Sequence, residues 1–255
     1  MITEIKYSDG SVYVGEIEDG IPNGKGKYTT TLPDCTTIYE GEWKNGLRNG
    51  KGKSTYICPE GTATYEGEFE NDMASGFGTK KDFLGNKYEG MWKENKHNGK
   101  GRLTFSDGSY FYDGEWENGM RSGFGKEVCY DGGYYEGYWK EDKHNGEGIL
   151  IIPVGSNRRF IYKGEMINNN LFGKGTLITY EGDVYSGEWE NYGDGSGKMY
   201  GPDGYFYEGE WKHLVLDGIG KLVRPDGVVF EGRFEKERFV KPDGQKILPY
   251  GPVLF

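Results

Sequence analysis

The chain has three histidines, the side chain that proteins use most often for metal binding and for proton transfer near neutral pH. His97 and His144 occupy the same place in two copies of the tetrapeptide KHNG, whereas His213 lies outside such a copy. A metal centre needs several ligands that converge on one point, and the spacing of the histidines, cysteines and carboxylates suggests no such set. The repeated KHNG indicates a polar turn residue instead, so we predict no metal site.

Carboxylates and glycine-rich loops are the other groups with which the chain could do chemistry. A pair of carboxylates could serve as general acid and base, but many of the 41 acidic residues recur at one spacing and mark a repeated structural position. The GKG segments lack the Ser or Thr and the glycine spacing of a phosphate loop. The run from Asp194 resembles a calcium loop, yet Tyr205 stands where the last ligand, a glutamate, should be. We predict no catalytic residue and no cofactor; an enzyme would need a polar pocket that only folding could assemble.

Charge and cysteine content narrow the class of partner and the compartment. The net charge of −10 disfavours nucleic acid as a partner, because phosphate backbones repel an acidic chain. It also disfavours anionic phospholipids, although a local basic patch could still bind them. Cys35, Cys58 and Cys129 are odd in number and form no CxxC pair, which favours a reducing compartment over a disulfide framework. Because no apolar segment has the length of a signal peptide core or a membrane span, we expect a cytoplasmic protein.

An internal repeat of about 22–27 residues determines where all these groups lie. Each copy begins with an aromatic residue at position one, has glycine at position three and continues with a GxG segment. The residues at position one are Tyr13, Tyr39, Tyr65, Tyr88, Tyr112, Tyr135, Tyr162, Tyr185, Tyr207 and Phe230. All six tryptophans of the chain occupy position five. The eighth copy is one residue short before its GxG, and the tenth copy has no GxG.

Each copy predicts a β-hairpin. YxGEW forms the first strand, a two-residue turn such as Asn45-Gly46 follows, and GxG lies in the second strand. Side chains alternate between the faces of a strand, so the tyrosine, the glycine and the tryptophan share one face. A two-residue turn would place position one opposite the second glycine of GxG, and Glu40 opposite Lys51 on the other face. We expect the rings to lie over bare glycine backbone, either in their own hairpin or in the next one, where a side chain would collide with them.

Stacked hairpins bury their aromatic faces against one another. The sequence therefore predicts an all-β fold, an elongated single-layer twisted antiparallel sheet that resembles a solenoid. The array covers residues 1–238, and residues 239–255, which end in an apolar segment, form a terminal cap or tail. The ten copies begin near residues 7, 34, 60, 84, 107, 131, 157, 181, 203 and 226.

The segments YEGEWKNGLRNGKGK (residues 39–53) and YDGEWENGMRSGFGK (residues 112–126) closely resemble the MORN repeat, named for membrane occupation and recognition nexus. The resemblance extends over about residues 9–239, although Met91, Tyr138 and Arg233 replace the glutamate usual at position four. It implies a twisted sheet of hairpins whose groove holds partner helices or peptides in cytoskeletal, ciliary or cortical assemblies. Some relatives are linked to phospholipids. Enzymes with such repeats resemble arrays fused to a catalytic domain, for which the flanking segments are too short.

The aromatic row is a candidate core and also a candidate binding surface. Packing of rings on glycine is the simpler role, but Trp and Tyr are typical anchors of protein interfaces. The candidate partner-binding residues are Tyr39, Trp43, Trp92, Tyr112, Trp116, Tyr135, Trp139, Trp189 and Trp211.

We expect a non-enzymatic scaffold that binds partner proteins along the repeat surface in a cytoskeletal assembly, with a ciliary or flagellar axoneme as the favoured location. The alternative is a membrane-associated module that binds phosphoinositides through basic residues of the second strands. These residues are Lys25, Lys27, Lys51, Lys53, Lys100 and Arg102. An open sheet also leaves edge strands, through which two copies of the chain could pair at a terminus.

Overall fold

The computed structural model describes residues 2–191 and 193–250. In these residues every regular element is a β-strand, and the expected all-β fold of antiparallel hairpins is confirmed. No helix in the described part of the chain is long and apolar enough to cross a membrane. The chain forms two compact units, Met1–Tyr130 and Asp131–Phe255. The last residues of the predicted tail, 251–255, lie outside the described residues.

The first unit contains strands β1 to β11, and each strand pairs antiparallel with the next one in sequence. Their bounds are β1 (Ile2–Lys6), β2 (Val12–Glu18), β3 (Ile21–Thr31), β4 (Thr36–Lys44), β5 (Leu47–Cys58), β6 (Gly61–Glu70), β7 (Met73–Lys81), β8 (Lys87–Lys93), β9 (Lys96–Thr104), β10 (Tyr110–Glu117) and β11 (Met120–Cys129).

The second unit contains strands β12 to β22, which pair antiparallel in the same consecutive order. Their bounds are β12 (Tyr134–Lys140), β13 (Lys143–Pro153), β14 (Arg159–Ile167), β15 (Asn170–Ile178), β16 (Val184–Trp189), β17 (Gly195–Tyr200), β18 (Phe206–Lys212), β19 (Val215–Val223), β20 (Val229–Glu235), β21 (Arg238–Val240) and β22 (Lys246–Ile247).

The hairpin turns have the left-handed backbone of two-residue type I′ turns. Asp19 and Gly20 in the first hairpin have φ values of 50° and 81°, and Asn45 and Gly46 in the second have 51° and 82°. Type I′ turns match the right-handed twist of the flanking strands and favour Asn-Gly and Asp-Gly. The turns therefore follow from the sequence.

A bulge in the second strand of the hairpin changes its register. In the hairpin of β4 and β5, Gly41 pairs with Gly52, but Trp43 pairs with Arg48, so the second strand carries two extra residues. The bulge includes Gly50, whose φ of +91° is strained for other residues and readily adopted by glycine. In this hairpin the first glycine of GxG is therefore needed because it can adopt this backbone conformation, and not because a ring packs on it.

The bulge makes the expected cross-strand pairs wrong by two residues. Tyr39 lies opposite Ser54 rather than opposite the second glycine of GxG. Glu40 lies opposite Lys53 instead of Lys51. A register derived from a plain two-residue turn could not include residues that the bulge adds to one strand only.

The tyrosine rings at position one, with the exception of Tyr185, lie over a glycine of their own hairpin. The sequence predicted a glycine beneath each ring, from the same hairpin or the next one. A Cβ atom on Gly52 would be 2.5 Å from Cε2 and Cζ of Tyr39, so only glycine fits beneath this ring. The Tyr39 hydroxyl donates a hydrogen bond of 3.0 Å to the backbone carbonyl of Glu42. The same bond to position four is made by Tyr13, Tyr39, Tyr65, Tyr88, Tyr112, Tyr135, Tyr162 and Tyr207. The hydroxyl thus fixes each ring along its hairpin.

The residue at position five joins its hairpin to the preceding one. Trp43 packs edge-to-face against Tyr39 of its own copy and Tyr13 of the preceding copy, with ring centroids 5.2 and 5.3 Å apart. Its indole N–H donates a hydrogen bond of 3.2 Å to the backbone carbonyl of Gly26. Edge-to-face pairs add roughly 0.5–1.5 kcal/mol each beyond the burial of apolar area. The core is therefore a row of contacts between neighbouring hairpins.

Cys35 and Cys58 form a disulfide, so the expectation that the cysteines do not pair is wrong for these two. Cys35 directly precedes β4 and Cys58 ends β5. Because Thr36 pairs with Ile57, the cysteines stand opposite each other, and their Cα atoms are 4.4 Å apart. In the sequence they are separated by 23 positions, and only the strand register brings them together.

Candidate partner-binding surface

The face that carries positions one, three and five, which we call the ring face, holds all nine residues predicted to bind partners. Tyr39, Trp43, Trp92, Tyr112, Trp116, Tyr135, Trp139, Trp189 and Trp211 are all buried there. Polar atoms of these residues bond within the chain, with Trp211 as an exception: the Tyr112 hydroxyl donates to the carbonyl of Glu115 at 2.9 Å, and the Trp116 N–H to that of Gly101 at 3.0 Å. Contact between these rings and a partner stays a prediction, because a partner first meets the side chains that cover the rings.

Four polar side chains lie over the buried rings, and we call them the covering row: Arg48, His97, Arg121 and His144. Each stands opposite the tryptophan of its own hairpin, at the start of the second strand. His97 stacks on Tyr88 with ring centroids 3.6 Å apart and an angle of 7° between the planes. His144 stacks on Tyr135, also at 3.6 Å. In these four hairpins the outer layer of the ring face is therefore polar and aromatic, whereas Pro22, Leu171 and Leu216 occupy the same position in the first, seventh and ninth hairpins.

The arginines of the covering row are held in place by hydrogen bonds and ion pairs. The guanidinium of Arg48 lies 5.2 Å from the centroid of the Phe69 ring, and its Nε donates to Oδ1 of Asp72 at 3.0 Å. Arg121 forms an ion pair of 2.6 Å with Glu127. Because Asp72 lies in the turn of the following hairpin, Arg48 also links two hairpins.

The sequence analysis missed the covering row and wrongly assigned His97 and His144 to turns. Both histidines lie inside strands, in β9 and β13. Burial, and to a smaller extent the nearby charge of Lys80, lower the pKa of His97 to about 4, so His97 is neutral at physiological pH. The sequence does show that residues of the covering row stand at a constant distance from the turn. The residue type at this position changes between copies, so the pattern was not recognised.

The opposite face, which we call the charged face, alternates in sign across neighbouring strands. Three of the basic residues considered for lipid binding form ion pairs with the next hairpin: Lys27–Glu40, Lys53–Glu66 and Arg102–Asp113. The other three, Lys25, Lys51 and Lys100, stand opposite glutamates at position four. The predicted basic residues are therefore interleaved with carboxylates and do not form a patch of one sign.

A family model of the MORN repeat matches residues 13–31, 39–57, 65–82, 88–110, 112–134, 135–157, 162–184, 185–204 and 207–229, which together are more than half of the chain. The chain belongs to the MORN-repeat family. Each match begins at the tyrosine of position one, so a MORN repeat in this chain starts with the first strand of a hairpin. The tenth copy is not among the nine matched stretches. No curated protein matches the chain significantly.

MORN repeats are generally modules that interact with proteins or membranes, and they are typically non-catalytic. In the described residues, no cluster of three or more His, Cys, Asp and Glu side chains is placed to hold a metal ion. The family therefore directs attention to surfaces rather than to a reaction centre.

Two departures from the MORN pattern at position four are explained by their cross-strand neighbours. Met91 stands opposite Phe77, and both side chains are exposed on the charged face. Arg233 stands opposite Ile219, where its aliphatic stem can cover the apolar side chain. At these two places the residue between the glycines of GxG is thus matched to position four of the next MORN hairpin, as lysine is to glutamate at Lys51 and Glu68, whereas Glu147 stands opposite Glu165.

A pocket of about 430 Å³ opens on the ring face of the first unit at the third MORN hairpin. Ala74 there occupies the place of the covering row, opposite Phe69. Its short side chain leaves space above the buried rings of Tyr65, Phe69 and Trp92, all of which line the pocket. Trp92 is the predicted partner-binding residue that lines this pocket.

The eighth MORN hairpin, the one that is a residue short, breaks the hydrogen-bond pattern of the ring face. The Tyr185 hydroxyl donates to the backbone carbonyl of Leu214 at 2.6 Å, and not to position four of its own copy. The N–H of Trp211 is buried and has no hydrogen-bond partner among the described residues. A second pocket, of about 800 Å³, opens beside Tyr185 within the second unit.

Proposed function

We propose that the chain is a non-enzymatic scaffold that binds partner proteins along the ring face of its MORN hairpins. The observation that carries this proposal is the construction of that face. Buried rings lie under the polar covering row in the second, fourth, fifth and sixth hairpins, and the ring face opens into a pocket at Ala74 and another beside Tyr185. Pockets beside buried aromatic residues suit the anchoring side chains of a helix or extended peptide that crosses neighbouring hairpins.

Filling the first pocket tests the proposal. Ala74→Arg introduces the residue that the covering row has in the second and fifth hairpins. We expect the full-length variant to lose partners that the wild type retains on chemical cross-linking in cells. The matched control is Phe77→Arg, which places the same residue on the charged face of the same strand. Cross-links that map to the charged face, together with unchanged partners in Ala74→Arg, would refute the proposal.

The location we propose is cytoplasmic and cytoskeletal, with the axoneme of a cilium or flagellum as the favoured assembly. Its support is the resemblance of the repeats to those of cytoskeletal and ciliary scaffolds. The Cys35–Cys58 disulfide counts against a reducing compartment. The test is detergent extraction of tagged protein followed by mass spectrometry of what stays attached. Retention with axonemal proteins supports the location, and complete release as a monomer contradicts it.

Binding to anionic phospholipids is the competing function. The ion pairs and glutamates among the basic residues of the charged face count against it, because a lipid surface attracts unneutralised positive charge. We expect the protein to stay in the supernatant when vesicles containing phosphoinositides are sedimented at physiological salt. Sedimentation that is lost in Lys53→Gln would favour the lipid function instead.

Pairing of two copies through a terminus is the remaining part of the proposal. The first strand, β1, pairs with β2 along one edge. In the described residues no strand pairs with its other edge, and unpaired strand edges are templates for association. Light scattering of the purified protein decides between a dimer and a monomer, and Glu4→Pro on β1 should convert a dimer of this kind to monomer.

A further inference from the structure

The pocket beside Tyr185 combines a buried apolar base with aromatic walls. Tyr185, Met199 and Leu216 line it and belong to the buried side chains of the ring face. Tyr205 and Tyr250 also line it, and their rings meet edge-on with centroids 5.4 Å apart. Tyr250 comes from the segment after β22, so the predicted tail completes the pocket. Its volume of about 800 Å³ is ample for a long side chain.

Four carboxylates also line this pocket: Glu181, Asp183, Asp203 and Glu237. None of the four is in an ion pair within the described residues. The basic side chain in the lining, that of Arg224, forms its ion pair with Asp226 at 2.8 Å. The pocket therefore carries negative charge that the chain does not neutralise by direct pairing.

The environment of Asp183 reflects this excess of negative charge. Burial raises the pKa of Asp183, and the charges of Glu181 and Asp203 raise it further. Burial also raises the pKa of the Tyr250 hydroxyl, and the charge of Glu237 adds to that shift. A positively charged group in the pocket would relieve both effects.

We propose that this pocket binds the guanidinium group of an arginine side chain on a partner protein. The inference rests on the proposed function, because the partner of the scaffold supplies the arginine. A guanidinium stacks on aromatic rings and forms paired hydrogen bonds with carboxylates, and both kinds of group face this space. Arginine is also a frequent anchor of protein interfaces.

Other occupants fit the pocket less well. An apolar side chain would remove water from the carboxylates without replacing their hydrogen bonds, which is costly. An anionic group would be repelled by the same carboxylates. A lysine ammonium is compact and strongly hydrated, so it makes poorer use of Tyr205 and Tyr250 than a planar guanidinium does.

The test measures binding of three labelled peptides to the full-length protein by fluorescence anisotropy. The peptides have the sequence Gly-Ser-Gly-X-Gly-Ser-Gly, in which X is arginine, lysine or citrulline, the neutral analogue of arginine. We expect the arginine peptide to bind best, the lysine peptide several-fold more weakly and the citrulline peptide at least tenfold more weakly. Higher salt should weaken the binding of the arginine peptide, because part of its affinity is electrostatic.

Charge-neutral variants locate the binding. Asp183→Asn and Glu237→Gln should each lower the affinity for the arginine peptide several-fold, and the double variant should lower it at least tenfold. The matched control is Glu231→Gln, which removes an exposed carboxylate that pairs with Lys221 on the charged face. This control should bind the peptide like the wild type. Circular dichroism verifies the fold of each variant, and the two single variants keep the test valid if the double variant does not fold.

The outcomes separate this proposal from the proposed function. Equal binding of the arginine and citrulline peptides overturns the pocket proposal, and so does an affinity unchanged in both single variants. If partners still cross-link to the ring face in that case, the scaffold function stands alone. If the wild type cross-links to no partner while the arginine peptide binds as expected, the scaffold function fails and the pocket keeps its specificity.

Discussion

Replacing Gly52 by alanine tests whether a tyrosine ring occupies the space that a side chain would need. The new Cβ atom would be 2.5 Å from two carbons of the Tyr39 ring, whereas carbon atoms in contact are normally about 3.5–4.0 Å apart. The ring would have to move by about 1 Å. Tyr39 is buried and its hydroxyl is bonded to the carbonyl of Glu42, so this movement disrupts both packing and a hydrogen bond.

The expected loss in free energy of unfolding combines these effects. Overpacking of a core costs about 1–3 kcal/mol, and an unsatisfied buried polar group adds about 1–3 kcal/mol. Alanine also lowers the conformational entropy of the unfolded chain, which stabilises the folded state by about 0.4–1 kcal/mol. The sum for Gly52→Ala is about 3 kcal/mol. Gly201→Ala is the control, because its nearest atom would be at 3.5 Å, and it should change stability by less than about 0.5 kcal/mol.

Urea unfolding followed by tryptophan fluorescence measures the global effect, and hydrogen exchange of residues 39–53 measures the local one. The local measurement decides, since hairpins of a repeat protein can open separately. In a Tyr39→Ala background the clash is absent, so adding Gly52→Ala should cost little more. Full additivity of the two substitutions, or a Gly52→Ala chain as stable as the wild type, would refute the packing argument.

Three further predictions concern the ring face and the disulfide. Trp116→Ala should cost about 3–5 kcal/mol, because the ring is buried and its N–H is bonded; urea melts unchanged by the substitution would mean that the ring is not part of the core. His97 has a pKa of about 4 when folded and about 6.5 when unfolded, so below pH 6.5 the unfolded state binds more protons and stability falls as the pH is lowered towards 4. His97→Leu should reduce that fall by about 2 kcal/mol, a value lowered for partial exposure, and an equal fall in the variant and the wild type in melts at pH 7 and pH 4 would contradict this account. Cys58→Ser should cost about 3 kcal/mol by opening the loop to Cys35, and alkylation of the unfolded wild type should label two more thiols after reduction than before; equal labelling would contradict the disulfide.

The sequence was sufficient for the elements and for the identity of the core. Tyrosine at position one and tryptophan at position five fall on one face because they are four residues apart on a strand. The glycine beneath each ring follows from the same alternation, as Gly52 beneath Tyr39 illustrates. These features depend on local periodicity, which a single sequence displays directly.

Register and surface chemistry were less predictable, for physical reasons. The bulge at Gly50 depends on a backbone angle that glycine permits and does not require. The disulfide depends on that register, and so does the pairing of Lys51 with Glu68 of the next hairpin. The covering row changes residue type between copies, as from Arg48 to His97, because stacking on a ring is possible for either side chain.

The matching of GxG to position four of the following hairpin limits how such a chain can gain or lose repeats. Where the two residues complement each other, as Lys51 and Glu68 do, the loss or gain of a copy keeps the pair only when the new neighbours also complement each other. Deleting residues 26–51 would place Lys25 opposite Glu68 instead of Glu42, so a lysine would still face a glutamate. Deleting residues 52–77 would place Lys51 opposite Met91. The two deletions are equal in length and each removes one cysteine of the disulfide. Duplications and losses that preserve the junction are therefore the ones that this architecture tolerates best during evolution.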